Sequence, residues 1–289
     1  MLALFRSIFA PPRDLILIIA AAWLGLALSE KRARRYMLSP EMLNNLVFVL
    51  MIAFLLGGRL LYAAEHLSAF AQNALNLVSF NTDLFDPAGG VAAAAVAGFA
   101  FGQRRGLPFW RTLDALTLFF ASLSVGLGLS HLASGLAFGQ ETAVPWAIQL
   151  WGAARHPTQI YEIIAALGIL GFLWSRKSSP RAGGDFLLFV ALASASQLVI
   201  GGFRGDSLLL AGGLRLQQVV AWAVLAAALI SIEYLLPARA PAPAAGADTA
   251  GAAPESGNTA RRKVRNAGPA VSKAKAPPRR QTKKSRGPG

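Results

Sequence analysis

The 289-residue sequence contains no cysteine at all. That excludes a disulfide framework, a thiolate zinc site, iron–sulfur ligation and a cysteine nucleophile. Histidine is almost as scarce, with His66, His131 and His156 only, too few for a multi-histidine metal centre. Neither a metal nor a cofactor is expected. Charge is also thin: 15% of residues are charged against 54% hydrophobic, and the mean hydropathy is +0.47. Such a composition does not suit a water-soluble globule. Acidic residues are the scarcer sign, 14 against 28 Lys and Arg, which leaves a formal charge of +14. An apolar excess and a large positive charge have to occupy different parts of the chain.

They do. Residues 237–289 carry 12 Lys and Arg against 2 Asp and Glu, open with an Ala/Pro/Gly run and contain no aromatic residue. A segment of this kind cannot bury enough apolar surface to offset its ordering entropy, so the reading is a disordered basic tail joined to a membrane domain at residues 1–236. Within that domain the apolar runs are Leu15–Leu28, Leu46–Ala64, Pro87–Gly102, Ala115–Ala133, Thr158–Trp174, Phe186–Gly202 and Leu216–Leu236. A bilayer core of about 30 Å needs roughly 20 helical residues. The fold class expected is therefore all-α, a polytopic integral membrane helical bundle of about seven transmembrane helices. A signal peptide is the alternative for the first run, since Ala27-Leu28-Ser29 imitates a cleavage site.

Loop charge sets an expected orientation. Lys31, Arg32, Arg34 and Arg35 follow the first run, Arg104, Arg105 and Arg111 the third, Arg176, Lys177 and Arg181 the fifth, and the basic tail the seventh. The intervening connections, residues 65–86 and 135–157, are poor in Lys and Arg. By the positive-inside rule the basic side is cytoplasmic, with the amino terminus outside and the tail inside a bacterial cytoplasmic membrane. The tail then faces the anionic inner leaflet. Nucleic acid is a rival polyanion, and a merely solvated tail is the plain alternative.

The same topology gathers polar residues near the outer face: the three histidines together with Arg59, Arg155, Arg204 and Arg215. Arg59 interrupts an apolar run, where a central arginine costs about 2.5–3.5 kcal/mol. It either snorkels to the interface or joins a cavity where arginines meet an anionic group, such as a lipid phosphate, through bidentate hydrogen bonds.

The most informative stretch is Arg155-His156-Pro157-Thr158-Gln159-Ile160-Tyr161-Glu162. It places five polar residues and a helix-starting proline at the mouth of a span. Thr158 and Glu162, four apart, share one helical face. Polar residues aimed into a membrane bundle are functional candidates, although interfacial capping is the plain reading.

This octapeptide resembles the Arg-His-Pro-(Ser/Thr)-Gln-Leu-Tyr-Glu signature of the bacterial prolipoprotein diacylglyceryl transferase family. Further matches occur in order: Gly57-Gly58-Arg59-Leu60-Leu61-Tyr62, Gly89-Gly90, Arg104 to Phe109, Val144-Pro145-Trp146, Phe203-Arg204 and Gly213 to Gln218. The resemblance covers about residues 15–236. It implies seven transmembrane helices and transfer of the diacylglyceryl group of phosphatidylglycerol, or another anionic phospholipid, to the lipobox cysteine of a prolipoprotein, with release of glycerol phosphate. On that reading His156 is the base, Arg155 and Arg204 hold the phosphate, and Tyr161 and Glu162 orient or exchange protons. Arg59, Gln159, His131, Arg215 and Gln218 are the candidate substrate contacts.

The sequence also departs from the family. A histidine expected before the third span is replaced by Ala88. An arginine expected in the fourth falls on Gly128, and two asparagines and a glutamate there fall on His131, Ser134 and Leu136. The arginine and glutamate of the sixth fall on Gln197 and Gly201. Two readings compete: a diverged transferase, or a non-catalytic phospholipid- or lipoprotein-binding protein of the same fold. A small-molecule transporter comes third, because its site would lie at the midplane and not at one face.

Overall fold

The structure, a computed structural model, describes residues 13–68, 85–210 and 212–235. The tail at 237–289 lies outside the described residues. Each of the seven apolar runs folds as an α-helix: α1 Arg13–Ala33, α2 Pro40–Glu65, α3 Pro87–Arg105, α4 Phe109–Ser134, α5 Thr158–Ser175, α6 Gly184–Gly201 and α7 Leu216–Leu235. By length and composition α2, α4, α5, α6 and α7 are apolar enough to cross a membrane. The other two are less apolar for visible reasons. α1 carries Arg13, Asp14, Glu30, Lys31 and Arg32 at its ends, and α3 is built largely of Ala and Gly.

Local chemistry fixes the helix starts. Pro40 and Pro87 each take the first helical position, where no N–H is needed. Ser39 Oγ accepts from Met42 N at 3.2 Å. The Asp86 carboxylate accepts from Ala88 N and Gly89 N at 3.1 and 2.7 Å. Both are N-caps of the kind that satisfy orphan amides. α6 is started differently. Its N-cap, Gly183, has no side chain, and Asp114 of α4 supplies the acceptor instead. Asp114 takes hydrogen bonds from the amides of Gly183, Asp185 and Phe186 at 2.6, 3.0 and 2.9 Å.

α4 is the hub, packing against α1, α5 and α6, while α7 lies on α6 and α3 on α2. Small residues permit the close approaches expected where lipid gives helices no hydrophobic incentive to associate. A Cβ on Gly25 would come within 2.8 Å of Ser122 Cβ, and one on Gly126 would strike Ala21. Ser122 Oγ also donates to Ala21 O at 2.8 Å. Between α2 and α3, a Cβ on Gly57 would strike Ala93, and one on Gly89 would lie 2.6 Å from Leu61 Cβ.

Two polar layers bracket the bundle. At the end carrying the basic connections, Tyr36 Oη donates to Asp185 Oδ2 at 2.8 Å, and Arg32 donates to the Leu173 and Trp174 carbonyls that end α5. Burial, opposed by Ser178 and reinforced by the Asp185 carboxylate, pushes the Tyr36 phenol up to about 12. At the other end the connection from α4 to α5 forms a hairpin of β1 Ile148–Leu150 and β2 Ala153–Arg155. Its two-residue turn has positive φ at both Trp151 (55°) and Gly152 (80°), as primed hairpin turns require. Single bridges then link Glu141 to Arg155 and Gly139 to Arg204, so segment 138–142 lies between the hairpin and the α6–α7 loop.

Candidate functional site

Glu162 is the centre of the site. It sits one turn inside α5 with its side chain 6% exposed, and each carboxylate oxygen has a partner from a different element. Oε2 lies 2.9 Å from His131 Nδ1 on α4. Oε1 accepts from Arg204 Nη1, in the α6–α7 loop, at 3.0 Å. Arg204, 12% exposed, is in turn gripped through Nε and Nη2 by both oxygens of Asp206, at 2.9 and 2.8 Å. This is the bidentate geometry in which a guanidinium pairs best with a planar anion. Burial of Arg204 opposes its charge, but Asp206 and then Glu162 more than offset it and hold the guanidinium's pKa above its ordinary value.

His131, Glu162 and Arg204 line a cavity of about 610 Å³ between α4, α5, α6 and α7, a size usual for small-molecule sites. Its wall is otherwise mostly apolar, for example Ile169, Phe189 and Val220, with Gln197 and Gln217 as further polar members. An apolar chamber with a charged end has the shape of an amphiphile. Gly128 also lines it, held close to α5: a Cβ there would meet Ile163 Cγ1 at 2.9 Å. Gly201 faces Gln218, whose Cγ would be 3.0 Å from an added Cβ.

The remaining sequence candidates fall into other groups. His156 and Tyr161 are not among the cavity-lining residues. His156 Nδ1 lies 3.4 Å from Tyr161 Oη, which accepts from Trp146 Nε1 at 2.7 Å, and Phe203 packs on both rings. Helical geometry explains the split: consecutive residues Tyr161 and Glu162 point about 100° apart, so they serve different neighbours. His156, Tyr161 and Phe203 thus form one cluster, and His131, Glu162 and Arg204 another. Arg59, partly exposed on α2, is not among the cavity-lining residues either. His66, at the end of the same helix, is exposed and stacks on Tyr62.

Arg155, expected at a phosphate, is used up by the loop. It donates to the carbonyls of Leu150 and Gly139 and to Glu141, and lies over the Phe138 ring. Arg215 Nη1 donates to the carbonyls of Gly201, Gly202 and Arg204, and Gln218 Nε2 to that of Leu198, so both cap the end of α6. Gln159, fully buried, donates to Leu136 O at 2.9 Å, and Thr158 Oγ1 to Ala137 O at 2.6 Å. Together they lock the entry of α5 to the end of α4. Asp206 was missed by sequence reasoning. Its only signal was an acidic residue two positions from an arginine, in a loop whose one other charged residue is Arg215.

The comparison with known proteins agrees with this architecture. The family described as prolipoprotein diacylglyceryl transferase matches residues 15–234. The chain belongs to that family. Among its relatives named phosphatidylglycerol–prolipoprotein diacylglyceryl transferase, one from Nostoc sp. (strain PCC 7120) is 28% identical, covering 79% of this chain and 86% of the relative. One from Clostridioides difficile is 28% identical, covering 76% and 89%. One from Thermosynechococcus vestitus is 30% identical, covering 73% and 83%. Against that diacylglyceryl transferase background the identity is modest, in keeping with a divergent member. Among the described residues no group of three or more His, Cys, Asp or Glu could hold a metal ion.

Proposed function

We propose that this chain transfers the diacylglyceryl group of phosphatidylglycerol to the lipobox cysteine of a prolipoprotein, with His131 as the base instead of His156. The observation that carries this reading is the 2.9 Å contact of His131 Nδ1 with Glu162 inside the cavity. A carboxylate at Nδ1 holds the N–H there and leaves Nε2 as the free lone pair, the logic by which a buried acid orients a catalytic histidine. The acceptor thiol, with an ordinary pKa near 8.5, gives its proton to Nε2. The thiolate attacks the glyceryl carbon that bears the phosphoester oxygen. The C–S bond forms, the C–O bond breaks, and the electron pair leaves on glycerol phosphate. Arg204 stands where that charge develops, and the apolar wall suits the acyl chains.

The loop charges support an amino terminus outside and residues 237–289 in the cytoplasm, with the site in the outer half of the bacterial membrane. They also support contact of the tail with anionic lipid, nucleic acid being the weaker rival.

A second reading, a member that holds lipid without reacting, is favoured by one observation: Arg204 already satisfies two carboxylates. Labelled phosphatidylglycerol and a lipobox peptide, incubated with purified protein, decide between them. Transfer of label to the peptide, lost in His131→Ala and retained in His156→Ala, supports the first. Lipid binding without transfer supports the second, and no lipid binding removes both.

A further inference from the structure

The cluster at the polar end of the cavity carries more negative than positive charge. Glu162 and Asp206 face one guanidinium, and His131 adds a positive charge only when protonated. A phosphodiester entering this end brings another negative charge to it. Its natural partner is the edge of Arg204 formed by Nε and Nη2, because carboxylate and phosphate use the same two-point geometry. Asp206 holds that edge.

We propose that Asp206 is a built-in competitor for the lipid phosphate, a specificity-determining residue that yields the bidentate edge of Arg204 only to an anion that outbids it. The inference rests on the reading of the cavity as a phospholipid site. Two features argue for competition over bracing. First, Arg204 is positioned without Asp206. Its backbone bridges Gly139, its carbonyl accepts from Arg215 Nη1 at 2.6 Å and Gln140 Nε2 at 3.4 Å, and its Nη1 is held by Glu162. Second, Asp206 is the more exposed partner, at 24% against 12%, so its carboxylate regains solvent readily when it lets go.

The device sets a threshold. A weak or singly contacting anion leaves the Arg204–Asp206 pair intact, whereas a phosphate that also fills the apolar chamber has the extra binding energy to displace the carboxylate. Zwitterionic lipids gain less from the exposed guanidinium, so Asp206 filters by headgroup charge.

The test uses the full-length protein in detergent, with short-chain phosphatidylglycerol, short-chain phosphatidylcholine and free glycerol phosphate as probes. Asp206→Asn should tighten phosphatidylglycerol and glycerol phosphate on the order of tenfold, the scale of removing one charge beside a partly buried partner, and should lower KM more than it changes kcat. Phosphatidylcholine should change by much less. Asp206→Glu, which restores the charge, should bind like the parent. Gain with glycerol phosphate as well as lipid assigns the effect to the phosphate, and gain with lipid alone overturns it. Unchanged or weaker binding in a folded Asp206→Asn protein overturns it too. If both Asp206→Asn and Asp206→Ala fail to fold, the carboxylate is a brace and the competitor role falls. Failure of both parent and Asp206→Asn to bind any phospholipid removes the cavity reading itself, whereas parent binding with no gain removes only this inference.

Discussion

Glu162 and Arg204, 42 residues apart in sequence, meet at 3.0 Å with both side chains nearly shut off from solvent. Removing one partner of a buried pair strands the other and commonly costs about 3–5 kcal/mol, but here Asp206 remains to neutralise Arg204. Glu162→Gln should therefore keep the fold, with a lowered melting temperature. Transfer should fall by about 10²–10⁴, because His131 loses the carboxylate that fixes its tautomer. Label transfer and thermal unfolding in detergent measure the two effects separately. Equal transfer by parent and variant would count against the His131–Glu162 pair.

Gly128 is where the family resemblance predicts an arginine. Introducing it should not raise activity, because a Cβ at this position already meets Ile163 Cγ1 at 2.9 Å and Ile163 N at 3.3 Å. Overpacking of this kind costs typically about 1–3 kcal/mol. Gly128→Ala should lower the melting temperature and Gly128→Arg should lower it further, with no gain in label transfer. A rise in transfer for Gly128→Arg would refute the packing argument.

Asp114 is expected to matter for stability alone. It satisfies three amides at the start of α6, and a lost cap typically costs about 0.5–2 kcal/mol, more when donors are left buried. Asp114→Asn, which retains one acceptor oxygen, should destabilise less than Asp114→Ala. KM for the lipid should stay put in both, as initial rates would register.

The pH dependence concerns Tyr36. Its folded-state pKa of about 12 lies above that of an ordinary tyrosine, through burial first and the Asp185 carboxylate as a further cause. The folded chain thus binds this proton more tightly than the unfolded chain. The resulting stability is fully present below pH about 10 and is lost as pH rises from there through about 12. Alkaline absorbance titration should show a step near pH 12, and Tyr36→Phe should abolish that step. Ionisation of Tyr36 near pH 10 would contradict the assignment.

Orientation is testable on a chain that offers a cysteine-free background. A cysteine placed at 142 should react with an impermeant maleimide on intact cells, and one at 178 only after permeabilisation. The reverse pattern would invert the topology.

Much of the fold could be read from the chain because its signals are local. Lipid exposure demands long apolar runs, and Ser39-Pro40 and Asp86-Pro87 announce helix starts in two residues each. The hairpin could not be read, since strands of three residues carry too little alternation to stand out. Nor could the site be paired correctly. The octapeptide pointed to α5, but which of its residues faces α4 depends on helix rotation and on where a loop 42 residues later returns. His131 was visible only as a candidate contact, and Asp206 was hidden by the assumption that an arginine near a lipid site is free to bind phosphate. Asp114 serving as another helix's cap has no sequence signature at all.

The α2–α3 pair is bound tightly to itself and lightly to the rest, and its outward surface displays Phe48, Met51, Ile52, Leu55, Val91, Val96 and Phe99. At 26 residues, α2 is about 39 Å long, whereas the hydrocarbon layer is about 30 Å thick. The surplus belongs to its polar start, with Glu41, Asn44 and Asn45, so the apolar run Leu46–Ala64, about 29 Å long, matches that thickness. A thicker or thinner membrane is therefore expected to act first on this paddle, which is only lightly held by the rest of the bundle.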